Sequence, residues 1–289
     1  MKKHTARLQV IAAMTIFGTI GVFVNHIPLP SSLIALARGC IGTLFLLMLN
    51  ALRGRGLPKV PGRLLPWLLL SGGGLGFNWI LLFEAYRYTT VATATLCYYL
   101  APILIILVSP LVLKERLSLR RGLCVLVALA GMVCISGVLQ TGIPSASELT
   151  GIGLGLGAAV LYATVVLLNR RLGGIGAFDR TIWQLGISAV IVAPYCLVTQ
   201  WGQPLALELS AGLLLLLVGV LHTGVTYYMY FSALPHLPGQ TVAILSYVDP
   251  VVAVLCSVLI LRQPTNVAEL VGAVLIIGAA LVSELPEKR

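Results

Sequence analysis

The chain has 289 residues, of which 58% are hydrophobic and 10% charged, with a formal net charge of +10 and a mean hydropathy of +1.01. A soluble domain carries about 45–50% apolar and about 25% charged residues, so this composition excludes an ordinary soluble enzyme, a disordered chain and a disulfide scaffold. The positive balance becomes a question of where the basic residues sit along an apolar chain.

A membrane-spanning helix needs about 20 mostly apolar residues. Ten such stretches follow in chain order, near 8–24, 31–52, 64–86, 91–113, 119–137, 149–169, 178–199, 209–233, 238–261 and 267–284. The connections between them are short, and no separate soluble domain fits. The first stretch follows Met1-Lys2-Lys3, in the manner of a leader peptide. Its apolar run to Val24 is too long for a cleaved leader, and Asn25-His26-Ile27-Pro28 supplies no small-residue cleavage site. It is therefore read as a retained helix.

The basic residues cluster in alternate connections. Lys2, Lys3 and Arg7 precede span one. Arg53, Arg55, Lys59 and Arg63 follow span two, and Lys114, Arg116, Arg120 and Arg121 follow span four. Arg170, Arg171 and Arg180 follow span six, Arg262 follows span nine, and Lys288 and Arg289 close the chain. Sixteen of the nineteen bases thus fall on one side, leaving Arg87 and Arg262 on the other and Arg38 inside span two. The positive-inside rule predicts both termini in the cytoplasm of a plasma-membrane protein.

Spans three and four reappear 148 positions later without a gap. Gly76 matches Gly224, Ala85 matches Ala233, Thr93 matches Thr241, Tyr99 matches Tyr247, Pro102 matches Pro250 and Ser109 matches Ser257. Five helices per unit is an odd number, so the second unit enters the membrane from the opposite side. The predicted fold class is an all-α membrane protein: ten transmembrane helices as two inverted five-helix repeats, residues 8–137 and 149–284. Inverted repeats are a common device of secondary transporters, which bind substrate near the midplane and expose it alternately to each side.

Polar groups inside the bilayer are costly, so each is a functional hypothesis. Arg38 lies in the outer half of span two and Glu84 near the outer end of span three. The two are candidates to pair as a clamp; alternatively Arg38 meets a substrate carboxylate through its two-pronged head. Asn78 and Trp79 in span three match Thr226 and Tyr227 in span eight, and two such patches facing each other would form a midplane site. Tyr98, Tyr99, Tyr162 and Tyr247 extend an aromatic lining suited to planar or cationic solutes. His222 in span eight can shuttle a proton or sit bonded within the core; at regular helical spacing it shares a face with Thr226, while Thr223, Tyr227 and Tyr230 share an adjacent one. Asp249 precedes Pro250, whose missing N–H disturbs the ladder; the carboxylate can bind a proton or a cationic group, or hold the broken turn. On a regular helix Tyr247 and Asp249 point apart, so they share a cavity only if the kink rotates them.

Other patterns carry little. Gly151, Gly153, Gly155 and Gly157 imitate a nucleotide loop but lack a following Lys-Ser/Thr and a preceding strand. The six cysteines form no CxxC pair, and no metal or cofactor spacing appears.

Three segments carry a family resemblance. Lys114-Glu115-Arg116-Leu117 is similar to the signature that ends the fourth helix of EamA-type repeats. Ala85-Tyr86-Arg87-Tyr88-Thr89-Thr90-Val91-Ala92 resembles that family's link between helices three and four, and Tyr247-Val248-Asp249-Pro250 resembles its helix-nine motif, with Asp where Glu is common. Over its whole length the chain resembles the EamA-type transporters of the drug/metabolite transporter superfamily. Arg38 stands where that family often has an Arg. Two departures stand out: Phe17-Gly18 replaces a frequent Trp-Gly, and Gln263 replaces the second-repeat equivalent of Glu115.

The resemblance implies export of a small metabolite, an amino acid or related molecule, with aromatic or cationic solutes within scope. The partners expected are the substrate and the lipid bilayer, with no nucleic acid, no cofactor and a monomeric chain, since one chain already holds both repeats. The competing readings are a proton-coupled drug or organic-cation transporter, an intramembrane enzyme built on His222, Asp249 and Ser246, and a lipid flippase.

Overall fold

The computed structural model describes residues 3–24, 26–89, 94, 97–113, 118–136, 146–200, 208–260 and 267–284. All regular structure among the described residues is helical. The segments Lys114–Leu117, Thr90–Thr93 and Arg262–Gln263, which carried part of the sequence reading, lie outside them.

The helices are α1 (Lys3–Val24), α2 (Ser31–Leu52), α3 (Leu65–Tyr88), α4 (Ala101–Leu113), α5 (Leu119–Ser136), α6 (Ala146–Arg171), α7 (Ala177–Gln200) and α10 (Val267–Glu284). Between α7 and α10 the winding is irregular. Helix α8 runs as Leu209–Leu217, then a π-helical segment Val218–Val225, then Thr226–Ala233. Helix α9 comes in two pieces, Gly239–Leu245 and Val248–Leu259. Among the described residues, six stretches are long and apolar enough to cross a membrane: Lys3–Val24, Ser32–Leu52, Gly62–Ala85, Ser147–Gly174, Ala177–Gln200 and Leu209–His236. Shorter apolar helices cover Ala101–Val112, Gly122–Cys134 and Leu270–Ala279.

Within the predicted span 91–113 the described residues Ala94, Cys97 and Tyr98 are helical, Tyr99 and Leu100 form a turn, and α4 runs on from Ala101. The physical reason for the turn is Pro102, which has no N–H to continue the ladder. The chain tightens instead, with Leu100 N–H donating to the Cys97 carbonyl at 3.2 Å. Helix α9 breaks at the matching place before Pro250. There Tyr247 N–H donates to the Ile244 carbonyl at 3.1 Å and Asp249 N–H to the Ser246 carbonyl at 3.3 Å. These are three-residue turns, tighter than an α-helix.

Packing interleaves the two halves of the chain. Helix α3 lies on α6 and α7; α2 lies on α7 and on the π segment of α8. Helix α1 meets α8 and the second piece of α9, α4 meets α6 and the first piece of α9, and α5 meets α10. Each pairing has a counterpart five helices further on, so α1 against α8 mirrors α6 against α3. Most interhelical contact is therefore made across the halves rather than within them.

Small residues permit these crossings, since helices in lipid associate through close packing rather than burial from water. A Cβ at Gly131 of α5 would stand 2.7 Å from the Gly272 carbonyl oxygen of α10. One at Gly76 of α3 would stand 3.0 Å from the Ser188 carbonyl oxygen of α7.

One end of the bundle is tied by buried arginine. Arg180, in the first turn of α7, is 1% exposed. Its Nη1 donates to the Asn169 carbonyl at 3.0 Å and the Leu172 carbonyl at 3.4 Å, and its Nη2 donates to the Phe231 carbonyl at 2.7 Å. The Asn169 and Phe231 carbonyls lie in the last turns of α6 and α8, where the helix supplies no further donors, and the Leu172 carbonyl also accepts from Ile175 N–H at 3.0 Å. Arg170 donates to the Leu237 carbonyl in the link to α9. Arg53 and Arg171 lie over the rings of Phe178 and Trp67, at 4.9 and 5.1 Å.

Candidate functional site

A cavity of about 350 Å3 opens between helices of both halves. Pockets for small molecules begin near this size. Helix α1 supplies Phe17, Gly18, Ile20 and Gly21 to its wall, α2 supplies Arg38, and α3 supplies Trp79, Leu82 and Phe83. The turn into α4 contributes Tyr98 and Tyr99, α6 contributes Tyr162, α8 contributes Tyr227, and α9 contributes Asp249 and Ala253. A smaller recess bordered by Met14, Pro102 and Ser246 shares Tyr98, Tyr99, Tyr162 and Asp249 with it.

The aromatic wall is a connected set. Tyr98 lies 5.7 Å from Tyr99 and 5.6 Å from Tyr162, centroid to centroid. On the other side Tyr227 meets Phe17 edge-on at 5.0 Å and Trp79 at 6.2 Å. Tilted and edge-on contacts suit the charge distribution of aromatic rings. Such a wall is stiff, because each ring limits its neighbours.

Among the described residues, two charged groups line this cavity. The Arg38 guanidinium lies over the Trp79 ring, 5.5 Å from its centroid, a favourable place for a cation. Its Nε donates to Thr223 Oγ1 at 3.1 Å. Thr223 in turn donates to the Val218 carbonyl at 3.1 Å, five residues back, as the π winding allows. The irregular segment of α8 therefore sets the orientation of Arg38. Asp249 lines the cavity and Tyr247 does not, so the break in α9 leaves the two pointing apart as their two-residue spacing implies, and the Tyr99 side chain is the hydrogen-bond partner of Asp249. Tyr247 is fully buried, with its hydroxyl donating to the Tyr99 carbonyl at 3.2 Å. The two broken helices brace each other there.

Several sequence-derived candidates lie elsewhere. The Arg38–Glu84 clamp is corrected: Glu84 pairs with Arg87 at 3.2 Å on its own helix. An i, i+3 neighbour is reached without crossing between helices. Asn78 faces α6 rather than the cavity, and its Nδ2 donates to the Ala158 carbonyl at 2.7 Å. Thr226 donates to the Leu221 carbonyl at 2.7 Å, again five residues back, and stays within its helix. His222 faces α1. Thr19 Oγ1 donates its single proton to the Ile16 carbonyl at 2.7 Å, so at 3.0 Å it accepts from His222 Nε2. Phe23 covers the imidazole edge-on at 5.0 Å. The face-sharing derived from regular α periodicity fails here because π winding shifts the residues around the axis.

Ser246 donates to the Val242 carbonyl at 2.8 Å. His222 and Ser246 are thus both engaged in packing bonds. Among the described residues no group of three or more His, Cys, Asp or Glu is arranged to hold a metal ion.

The sequence reading missed Phe17, Gly21 and Thr223. Phe17 and Gly21 sit in an apolar helix without a polar marker. Thr223 was placed on a face with Tyr227 and Tyr230, whereas it is the partner of Arg38.

Comparison with known proteins follows the same lines. The model of the EamA-like transporter family matches residues 5–137 and again residues 149–284. An uncharacterized transporter of Bacillus subtilis, YxxF, is 29% identical over 284 residues, spanning 97% of this chain and 90% of that protein. The aromatic amino acid exporter YddG of Ancylobacter novellus is 25% identical over the full length of both chains. Protein PecM of Dickeya dadantii is 28% identical over 235 residues, 79% of this chain and 76% of that protein. A crystal structure superposes with a TM-score of 0.86 at 22% identity, covering 96% of this chain and 97% of that one, and speaks to the fold alone.

Proposed function

The chain belongs to the EamA-like transporter family and is a multi-pass membrane protein, and from that premise we propose that it is a secondary transporter that exports a small metabolite, an amino acid or a related aromatic or cationic molecule, across the plasma membrane by alternating access. The proposed topology is ten spans in two inverted five-helix repeats, residues 8–137 and 149–284, with both termini cytoplasmic and the chain acting as a monomer. The alternating basic connections support this orientation. The mirrored helix pairings support the inverted repeat.

The observation that carries the reading is the cavity shared by both repeats and walled by aromatic rings. In the proposed orientation Ile20, Gly21, Leu82, Phe83 and Ala253 belong to the extracytoplasmic halves of their helices. Arg180 and Arg170 close the cytoplasmic ends. The conformation described is then outward-facing. A rigid aromatic wall favours a planar solute, in line with the aromatic amino acid export named for the Ancylobacter relative. No nucleotide-binding loop is present in the sequence, so the driving force is a gradient. A second reading, proton-coupled movement of an organic cation, is favoured by the Asp249 carboxylate in that wall.

Gly21 gives a direct test. It lines the cavity, and nothing lies within 4 Å of a Cβ built there. A leucine at this position fills the cavity without displacing a helix. Gly21→Leu is expected to melt like the wild type in detergent and to abolish counterflow of radiolabelled phenylalanine in proteoliposomes. Undiminished counterflow would place the transport site elsewhere.

A further inference from the structure

Two opposite charges share the cavity without neutralising each other. Arg38 comes from α2 in the first repeat and Asp249 from α9 in the second. Glu84 pairs with Arg87, and neither cavity charge takes part in that pair. Arg38 uses Nε on Thr223 and lays its planar head on Trp79. That fixes the guanidinium while its terminal NH2 groups remain for a ligand. Asp249 is held by Tyr99. Both charges line the same cavity as Tyr98, Tyr99 and Tyr227, so they share one aromatic wall.

Lone charges away from water are expensive, and such groups ordinarily pair within the protein. Here each has hydrogen-bonding support but no counter-charge. The arrangement is balanced for a solute carrying one charge of each sign. A guanidinium presents a two-pronged donor that matches a carboxylate. A carboxylate backed by a tyrosine, among rings whose faces attract cations, matches an ammonium.

Resting on the transport reading above, we propose that the cavity takes its solute as a dipolar ion, an α-amino acid with an aromatic side chain, whose carboxylate meets Arg38 and whose ammonium meets Asp249. The side chain stacks against the rings of Trp79, Tyr98 and Tyr227. A monoamine leaves Arg38 without its counter-charge, and a monocarboxylate leaves Asp249 without its own. Discrimination against both follows from the group left unpaired, because a site built around a polar contact rejects the analogue lacking it. Drawing the two charges from different repeats also ties solute recognition to the relative position of the repeats.

The test compares three probes, phenylalanine, phenethylamine and 3-phenylpropionate, by quenching of intrinsic tryptophan fluorescence in the purified full chain. The wild type is expected to bind phenylalanine at least about tenfold more tightly than either analogue. Asp249→Asn is expected to lose the preference for phenylalanine over 3-phenylpropionate while keeping its preference over phenethylamine. Arg38→Gln is expected to show the converse. The retained half of the preference reports that each variant is folded. Absence of phenylalanine binding by the wild type, equal binding of all three probes, or equal weakening of all three in both variants would overturn the pole assignment. Gly21→Leu separates this failure from that of the transport reading. If binding persists in Gly21→Leu, the cavity is not the site; if Gly21→Leu abolishes binding while the poles show no selectivity, only the dipolar assignment falls.

Discussion

Gly18→Ala is expected to destabilise the protein by about 1–3 kcal/mol, the usual cost of overpacking, and to reduce transport even in the fraction that folds. A Cβ at Gly18 would stand 2.5 Å from the Asp249 carbonyl oxygen and 2.7 Å from Val252 Cβ. Backbone oxygen cannot rotate aside as a flexible side chain can, so α1 and α9 must move apart. The same displacement shifts Asp249 relative to the cavity wall that it shares with Phe17. Stability and solute recognition are coupled at this crossing. Three residues along the same helix, Gly21→Ala meets nothing within 4 Å and is expected to leave stability unchanged. Thermal melts of the two variants in detergent check the contrast. Equal melts would show that the α1–α9 crossing is looser than described.

Arg180→Met is expected to cost about 2–4 kcal/mol, the net of leaving buried acceptors unpaired and removing a buried cation. The methionine keeps the length and the apolar stem but withdraws the bonds to Asn169, Leu172 and Phe231. The Asn169 and Phe231 carbonyls lie in the last turns of α6 and α8, whereas the Leu172 carbonyl keeps the Ile175 N–H. Arg180→Lys is expected to fall between the two, since an ammonium places its donors around one point and cannot span three carbonyls as a planar fork does. Denaturant unfolding of the wild type and both variants provides the measurement. A methionine variant as stable as the wild type would mean that this end of the bundle is held by packing alone.

The sequence and the structure agree where the controlling chemistry is local. Pro102 and Pro250, matched by the repeat, mark the two broken helices. The lone base of span two and the acid before Pro250 mark the charged groups of the cavity. What escaped the sequence depended on winding and on distant partners. Regular α periodicity grouped His222 with Thr226 and Thr223 with Tyr227. The π segment instead turns His222 to Thr19 and Thr223 to Arg38. His222 and Thr223 mark Val218–Val225 as polar, but their polarity does not specify how the helix is wound. Glu84 was matched to Arg38 by depth in the membrane, while Arg87 on the same helix face was nearer. Arg180 was counted among loop bases, since charge runs conceal which member folds inward. The interior orientation of Asn78 follows from the α3–α6 crossing, which only tertiary packing reveals.

Sided labelling of one cavity residue tests the central claim most directly. Ala253 lines the cavity and is exposed, and cysteine replaces alanine there with little change in volume. The six native cysteines are first replaced by alanine. In intact cells, Ala253→Cys is expected to react with a membrane-impermeant maleimide added outside, and saturating phenylalanine is expected to slow that reaction. Labelling that occurs only from the cytoplasmic face of inverted vesicles, or that proceeds at the same rate with phenylalanine present, would contradict an outward-opening substrate cavity between the two repeats.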